Sequence, residues 1–402
     1  MMKNTIKILA LLLAAITALS SCGAPKETEK ESETIAQTQE GTESEFETES
    51  ETEIQEETEK ETEAVVTEKY VERTTDMKAG EGTVKFLGRT YLSGNALICD
   101  HAASGIEVVI DCQGDVAVAA EANNANTVFT VVVDDEVTKN VIFDKGNRTY
   151  TIAKGLTKGT HVIRLVNEAG YSGPCKLLSL TYTGKLIKMA DNERYIEFVG
   201  DSISAGYGLG GTAEELHDAT LAYPYLTAEK LGADYSICAR SGLGVAYSAG
   251  ASNIFENYYP FASVERGKMA YDPVRTPDLV VINLHTNDNY QWYSKGGNVE
   301  GDYYNYATFD AKFDNIIKTV TKAYSKEIPM LFVFGCMANS KWTLATDRSV
   351  ELIQTKYLPD GYNIKVVTLP TSRDGKEAHP SVKGAALQAE ELVRFIEENY
   401  YN

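Results

Sequence analysis

The 402-residue chain has no apolar run long enough to cross a bilayer as an ordinary helix. Such a helix needs about 20 consecutive apolar residues, and the run from Ile8 to Leu19 stops short of that. None of its six cysteines stands at Cys-x-x-Cys spacing, which removes the common zinc and dithiol-redox frameworks. The glycine-rich stretch Gly206-Tyr207-Gly208-Leu209-Gly210-Gly211 lacks the Lys-Ser/Thr of a phosphate-binding P-loop. Basic residues are outnumbered, 38 Lys and Arg against 58 Asp and Glu. That balance argues against a nucleic-acid partner.

The first residues lead one to expect export. Lys3 and Lys7 precede the short apolar run, which closes at Leu19-Ser20-Ser21-Cys22-Gly23. That ending resembles the bacterial lipobox, which implies a leader over 1–22 and a lipid on Cys22 at the outer face of the membrane. A plain secretory signal cut nearby is the alternative. From Lys26 to Val66 the chain is Glu and Thr with almost no large apolar side chains, so 23–70 is expected to remain a disordered tether. Glu27 to Glu63 holds 16 glutamates against 2 lysines, a net of −14 out of the −20 of the whole chain. The folded body is therefore only mildly acidic, and self-repulsion extends the tether. Without Cys22, five cysteines remain. Cys99 and Cys112 flank an expected hairpin and could pair, although buried free thiols are the favoured reading.

Two textures follow the tether. Over 80–187, short apolar runs such as 96–99, 106–110, 116–119, 127–133 and 161–166 alternate with turn residues and show no helical period, the pattern of an antiparallel sandwich or jelly roll. His101 and His161 in it read as core or surface residues. Over 190–402, strands ending near Phe198 and covering 235–239, 279–284, 330–334 and 364–369 alternate with helices, which predicts a doubly wound parallel sheet of about five strands. Helices are expected at 223–231, at 381–400, and where Phe309, Phe313, Ile316, Ile317 and Val320 share one face.

The ends of those strands carry the chemistry. Ser202 follows the first strand in Gly200-Asp201-Ser202, with Gly200 and Gly206 letting the backbone turn tightly. Ser241-Gly242 follows the second strand, His285-Thr286-Asn287-Asp288 the third, and His379-Pro380 precedes the last helix. Acyl transfer at a serine needs a nucleophile, a base and oxyanion donors, and each role has a candidate here.

These blocks, in this order, resemble those of the SGNH (GDSL) hydrolases. With the preceding all-β region and the phrase Leu87-Gly88-Arg89-Thr90, the chain is similar to the two-domain carbohydrate esterase family 2, which deacetylates plant polysaccharides. The resemblance implies Ser202 as nucleophile and His379 as base. It also implies an oxyanion hole from the Ser202 and Gly242 N–H groups and the Asn287 side chain, with no cofactor and no metal. Asp201 and Asp288 are expected to brace the turn and a loop.

Two positions depart from the pattern. Lys376 stands where an aspartate is usual, so His379 is left to Asp374, Glu377 or a backbone carbonyl for its orientation. His285 replaces a usual glycine and is expected to pack beside its strand. His217 falls in a loop over the site. Tyr290, Trp292, Tyr293, Tyr303, Tyr304 and Tyr306 read either as a sugar-stacking cleft wall or as a satellite core, and Trp342 as a further cleft residue. The expected activity is removal of O-acetyl groups from xylan, mannan or glucomannan. A non-catalytic glycan-binding lipoprotein, or an esterase for lipid or peptidoglycan O-acetyl groups, is the alternative.

Overall fold

The computed structural model describes residues 70–170, 173–210, 216–248, 253–297, 300 and 304–401. The leader, Cys22, the tether up to 69 and Tyr303 lie outside them. No described helix is long and apolar enough to cross a membrane.

The first domain consists of β1 (Glu72–Asp76), β2 (Val84–Leu87), β3 (Tyr91–Ser93), β4 (Ala96–Cys99), β5 (Gly105–Ala122), β6 (Thr127–Val133), β7 (Glu136–Phe143), β8 (Gly146–Asn167) and β9 (Cys175–Ile187). They form one antiparallel sheet ordered β3-β4-β9-β5-β8-β6-β7, with β1 on β9 and β2 on β5. Alternation along β5 sends Val108, Ile110, Cys112, Val116, Val118 and Ala120 into one apolar cluster. The runs 106–110 and 116–119, expected as separate strands, are two halves of β5. Its register shifts between Cys112 and Ala117, and Gly114 takes φ +81°. A bulge accepts such a residue and bends the strand without ending it, so Gln113-Gly114-Asp115 imitates a turn.

The same register settles the cysteines. Cys99 stands opposite Cys175, whereas Cys112 stands opposite Gly184. Nine residues of β9 separate those positions, about 30 Å at strand rise. Cys99 and Cys112 therefore do not pair, and Cys99, Cys112, Cys175, Cys238 and Cys336 are buried free thiols.

The second domain is built on β10 (Tyr195–Gly200), β11 (Asp234–Ala239), β14 (Leu279–Asn283), β15 (Met330–Phe334) and β16 (Ile364–Thr368), all parallel and ordered β11-β10-β14-β15-β16. A small hairpin, β12 (Phe261–Ser263) and β13 (Met269–Ala270), lies between β11 and β14 in sequence. The helices are α1 (Tyr223–Leu231), α2 (Phe255–Tyr258), α3 (His285–Ser294), α4 (Tyr306–Ala323), α5 (Leu344–Leu352) and α6 (Val382–Tyr400). Helices cover both faces, which is why the strands are continuously apolar. Val281 on β14 joins the cluster containing α1 and α6 residues, while Val280 and Ile282 join Phe309, Phe313 and Ile316 of α4. The strand order reverses between β10 and β14, and in such sheets the crevice at that point receives ligands.

The domains share a core. Leu87, Ala102, Ala103 and Val166 of the first pack in the α1/α6 cluster of the second, and the Tyr235 hydroxyl donates to the Ala103 carbonyl at 2.9 Å. Arg89, fully buried, donates to the carbonyls of Tyr259 at 2.7 Å and Phe261 at 3.3 Å. It lies 3.6 Å from the Glu197 carboxylate on β10.

Candidate active site

Ser202 sits in the turn leaving β10, and the glycines on either side of it are there for space. A Cβ on Gly200 would lie 1.9 Å from Ser204 Oγ, and one on Gly206, at φ +75°, would lie 2.2 Å from the Asp218 carbonyl oxygen. Asp201 secures the turn by accepting the Ile203 N–H at 2.9 Å, and burial pushes its carboxyl up to about 7.

Ser202 Oγ is 2.8 Å from His379 Nε2, although the two residues lie 177 positions apart. His379 Nδ1 lies 3.3 Å from the Glu377 carbonyl oxygen. With Nδ1 donating to a carbonyl, Nε2 is the nitrogen left to accept the serine proton. Neither nearby carboxylate takes that place: Asp374 accepts from the hydroxyls of Ser372 and Ser381, and Glu377 accepts from the Tyr207 hydroxyl at 2.8 Å. The orienting group is thus a backbone carbonyl. Burial draws His379 below its usual 6.5, partly opposed by the carbonyls of Glu377 and Lys376.

Gly242, at φ +82°, and Asn287, near the start of α3, line the same cleft as Ser202 and His379. The Asn287 amide donates to the Leu243 carbonyl at 3.0 Å and lies 3.4 Å from Asp201 Oδ2. Asp288 holds the neighbouring loop by accepting the N–H groups of Val245, Ala246 and Tyr247 at 2.8, 2.7 and 2.7 Å. Burial pushes it up to about 7 as well.

The remaining histidines divide. His285 is buried against Phe334, ring centroids 4.7 Å apart, and neither ring nitrogen has a partner. Burial drives it down to about 3, so it is neutral at working pH. His217 lies 3.3 Å from Ser241 Oγ; burial, then the nearby His379, lowers it to about 4.

The aromatic group expected after the third block also divides, and α3 sorts by face the three members it carries, Tyr290, Trp292 and Tyr293. Trp292 is fully buried against Tyr247, Tyr306 and Phe309, and Tyr304 packs on Tyr247. Tyr290 and Tyr293 are exposed and pack on Trp342. Tyr290 and Trp342 line the cleft, whose volume is about 450 Å3. The sequence reading missed Tyr207, Gln291 and Arg373 as lining residues. Only the position of Tyr207, five residues after Ser202, could have pointed to one of them. Among the described residues, no three His, Cys, Asp or Glu side chains gather as metal ligands.

Residues 86–190 match the family described as carbohydrate esterase 2 N-terminal, and residues 196–392 match GDSL-like lipase/acylhydrolase. The chain pairs a carbohydrate esterase 2 N-terminal domain with a GDSL-type hydrolase domain. This family 2 architecture is 28% identical over 292 residues to an acetylxylan esterase/glucomannan deacetylase of Cellvibrio japonicus, covering 67% of this chain and 78% of that one. It is 26% identical over 312 residues to a cellulase/esterase of Acetivibrio thermocellus. That alignment covers 73% of this chain but only 37% of the relative, so the chain spans well under half of that protein's length. A family two carbohydrate esterase from Clostridium thermocellum, solved in complex with cellohexaose, shares the fold at a TM-score of 0.69 and 22% identity, over 78% of this chain and 98% of that one.

Proposed function

We propose that this family 2 chain is a serine esterase that removes O-acetyl groups from plant cell-wall polysaccharides. The observation carrying the proposal is the 2.8 Å contact of Ser202 Oγ with His379 Nε2 in a cleft walled by Tyr290 and Trp342. Ser202 attacks the acetyl carbonyl as His379 takes its proton. The N–H groups of Ser202 and Gly242 and the Asn287 amide stabilise the oxyanion, a role worth about 3–4 kcal/mol per donor. His379 then gives that proton to the departing sugar oxygen as its bond to the acetyl carbon breaks, and water, activated by the same imidazole, releases acetate from the serine. The names of the relatives support a xylan or glucomannan substrate, and exposed aromatic rings suit sugar faces. The ending at Cys22 supports a lipid-anchored place at the outer membrane face. A glycan-binding protein without catalysis would have no need of a serine–histidine contact.

The test is acetate release from acetylated xylan and acetylated glucomannan by wild type and Ser202→Ala. Serine-dependent release is expected, and Trp342→Ala should raise KM for the polymers more than for a small acetyl ester. Polymer retention with no release from any ester would transfer the reading to glycan capture.

A further inference from the structure

The carbonyl that orients His379 belongs to a strained piece of backbone. Glu377 has φ +50° and ψ +40°, and Ala378 follows at φ +59°. Two successive side-chain-bearing residues in the left-handed region are unfavourable, and such a segment persists only where its surroundings hold it. The 3.3 Å approach of the Glu377 carbonyl to His379 Nδ1 depends on that conformation. Local bonds close the turn, from the His379 N–H to the Lys376 carbonyl and from the Gly375 N–H to the His379 carbonyl, each 2.9 Å. They fix the base of the loop but do not reach the Glu377 side chain.

The outside hold comes from the nucleophile's own turn. The Tyr207 hydroxyl donates to Glu377 Oε2 at 2.8 Å, and the Tyr207 ring lies 4.6 Å, centroid to centroid, from the His379 imidazole. Its N–H donates to the Ser202 carbonyl at 2.9 Å. The next residue, Gly208, lies against the same loop, where a Cβ would come within 3.0 Å of Lys376 Cβ. One tyrosine therefore touches the backbone of Ser202, the ring of His379 and the residue that aims the ring.

We propose that Tyr207 and Glu377 form a latch that supplies, through the backbone, the orienting function that a carboxylate supplies in a serine–histidine–aspartate site. Tyr207 is a positioning residue, as is the side chain of Glu377. The latch keeps the 377–378 turn in its left-handed form, so the imidazole stays in the tautomer with its proton on Nδ1. The inference rests on the esterase reading only for its kinetic consequence, since the tautomer can be observed without turnover.

The experiment compares wild type, Tyr207→Phe, Glu377→Ala and Glu377→Gln by nitrogen-15 NMR of the His379 ring, with kinetics on a small acetyl ester. Tyr207→Phe keeps the ring contact and loses only the hydroxyl, and Glu377→Gln keeps an acceptor. Tyr207→Phe and Glu377→Ala should shift His379 toward the Nε2–H tautomer and lower kcat about five- to tenfold, the size of one lost hydrogen bond. KM should change less than about twofold, and Glu377→Gln should recover most of both losses. Unaltered ring signals in Tyr207→Phe and Glu377→Ala would overturn the latch. So would a loss in Glu377→Gln equal to that in Glu377→Ala. A wild type that hydrolyses no ester yet shows the expected tautomer shifts would sink the esterase reading and leave the latch standing.

Discussion

Replacing Arg89 by methionine tests how firmly the two domains are joined. The guanidinium is fully buried and reaches out of the first domain to two carbonyls of the second. It also neutralises Glu197, which stands on the strand that leads to Ser202 and whose carboxylate accepts from the hydroxyls of Tyr259 and Tyr324. Methionine fills comparable space but leaves the Glu197 charge buried with hydroxyl donors alone. Breaking a buried pair from one side costs about 3–5 kcal/mol. At roughly 2–4 °C per kcal/mol, this lowers Tm by about 6–20 °C. Calorimetry of wild type, Arg89→Met, Glu197→Gln and the double variant at one scan rate gives the cycle. The double variant should lose less than the two singles added together, since it removes both charges. A drop below about 2 °C for Arg89→Met, or strict additivity in the double variant, would refute the claim that this pair fastens the domains.

Three further outcomes follow. Because burial holds His379 below 6.5, kcat/KM should fall as pH drops through an apparent value under 6.5 and stay level above it; a limb centred well above 7 would contradict this. Asp288→Ala strips the acceptor from three N–H groups and should cost at least about 3 kcal/mol in denaturant unfolding; an unchanged midpoint would show that the loop holds itself. Mild oxidation of the folded protein should join Cys99 to Cys175, which face each other across β4 and β9, as mapped by peptide mass, and a Cys99–Cys112 peptide would contradict the strand register.

The parallel sheet was legible because strands buried on both faces leave unbroken apolar runs, as in Leu279–Asn283 and Met330–Phe334. The amphipathic helix Tyr306–Ala323 buries Phe309, Phe313, Ile316, Ile317 and Val320, the five residues its period had placed on one face. Ser202 and His379 were legible because each adjoins a recognisable boundary, the serine just after a strand end and the histidine just before a helix start. The long strand β5 was not, since a bulge and a turn use the same residues. Tyr290, Trp292 and Tyr293 could be sorted only once the helix that carries them was known. The left-handed turn at Glu377 and Ala378 left no mark at all, because neither residue type favours that conformation.

The 177-residue separation of Ser202 from His379 has a consequence for how the molecule matures. The serine arrives with the first strand of its domain, while the imidazole arrives only when the edge strand β16 and the last helix have docked. Any partly folded form that lacks the docked C-terminal segment lacks the pair. In a refolding experiment, catalysis should therefore be the last signal to return, after secondary structure and after burial of Trp292. Hydrolysis then reports completion of the whole chain, and a C-terminally clipped molecule stays silent however native its remaining core.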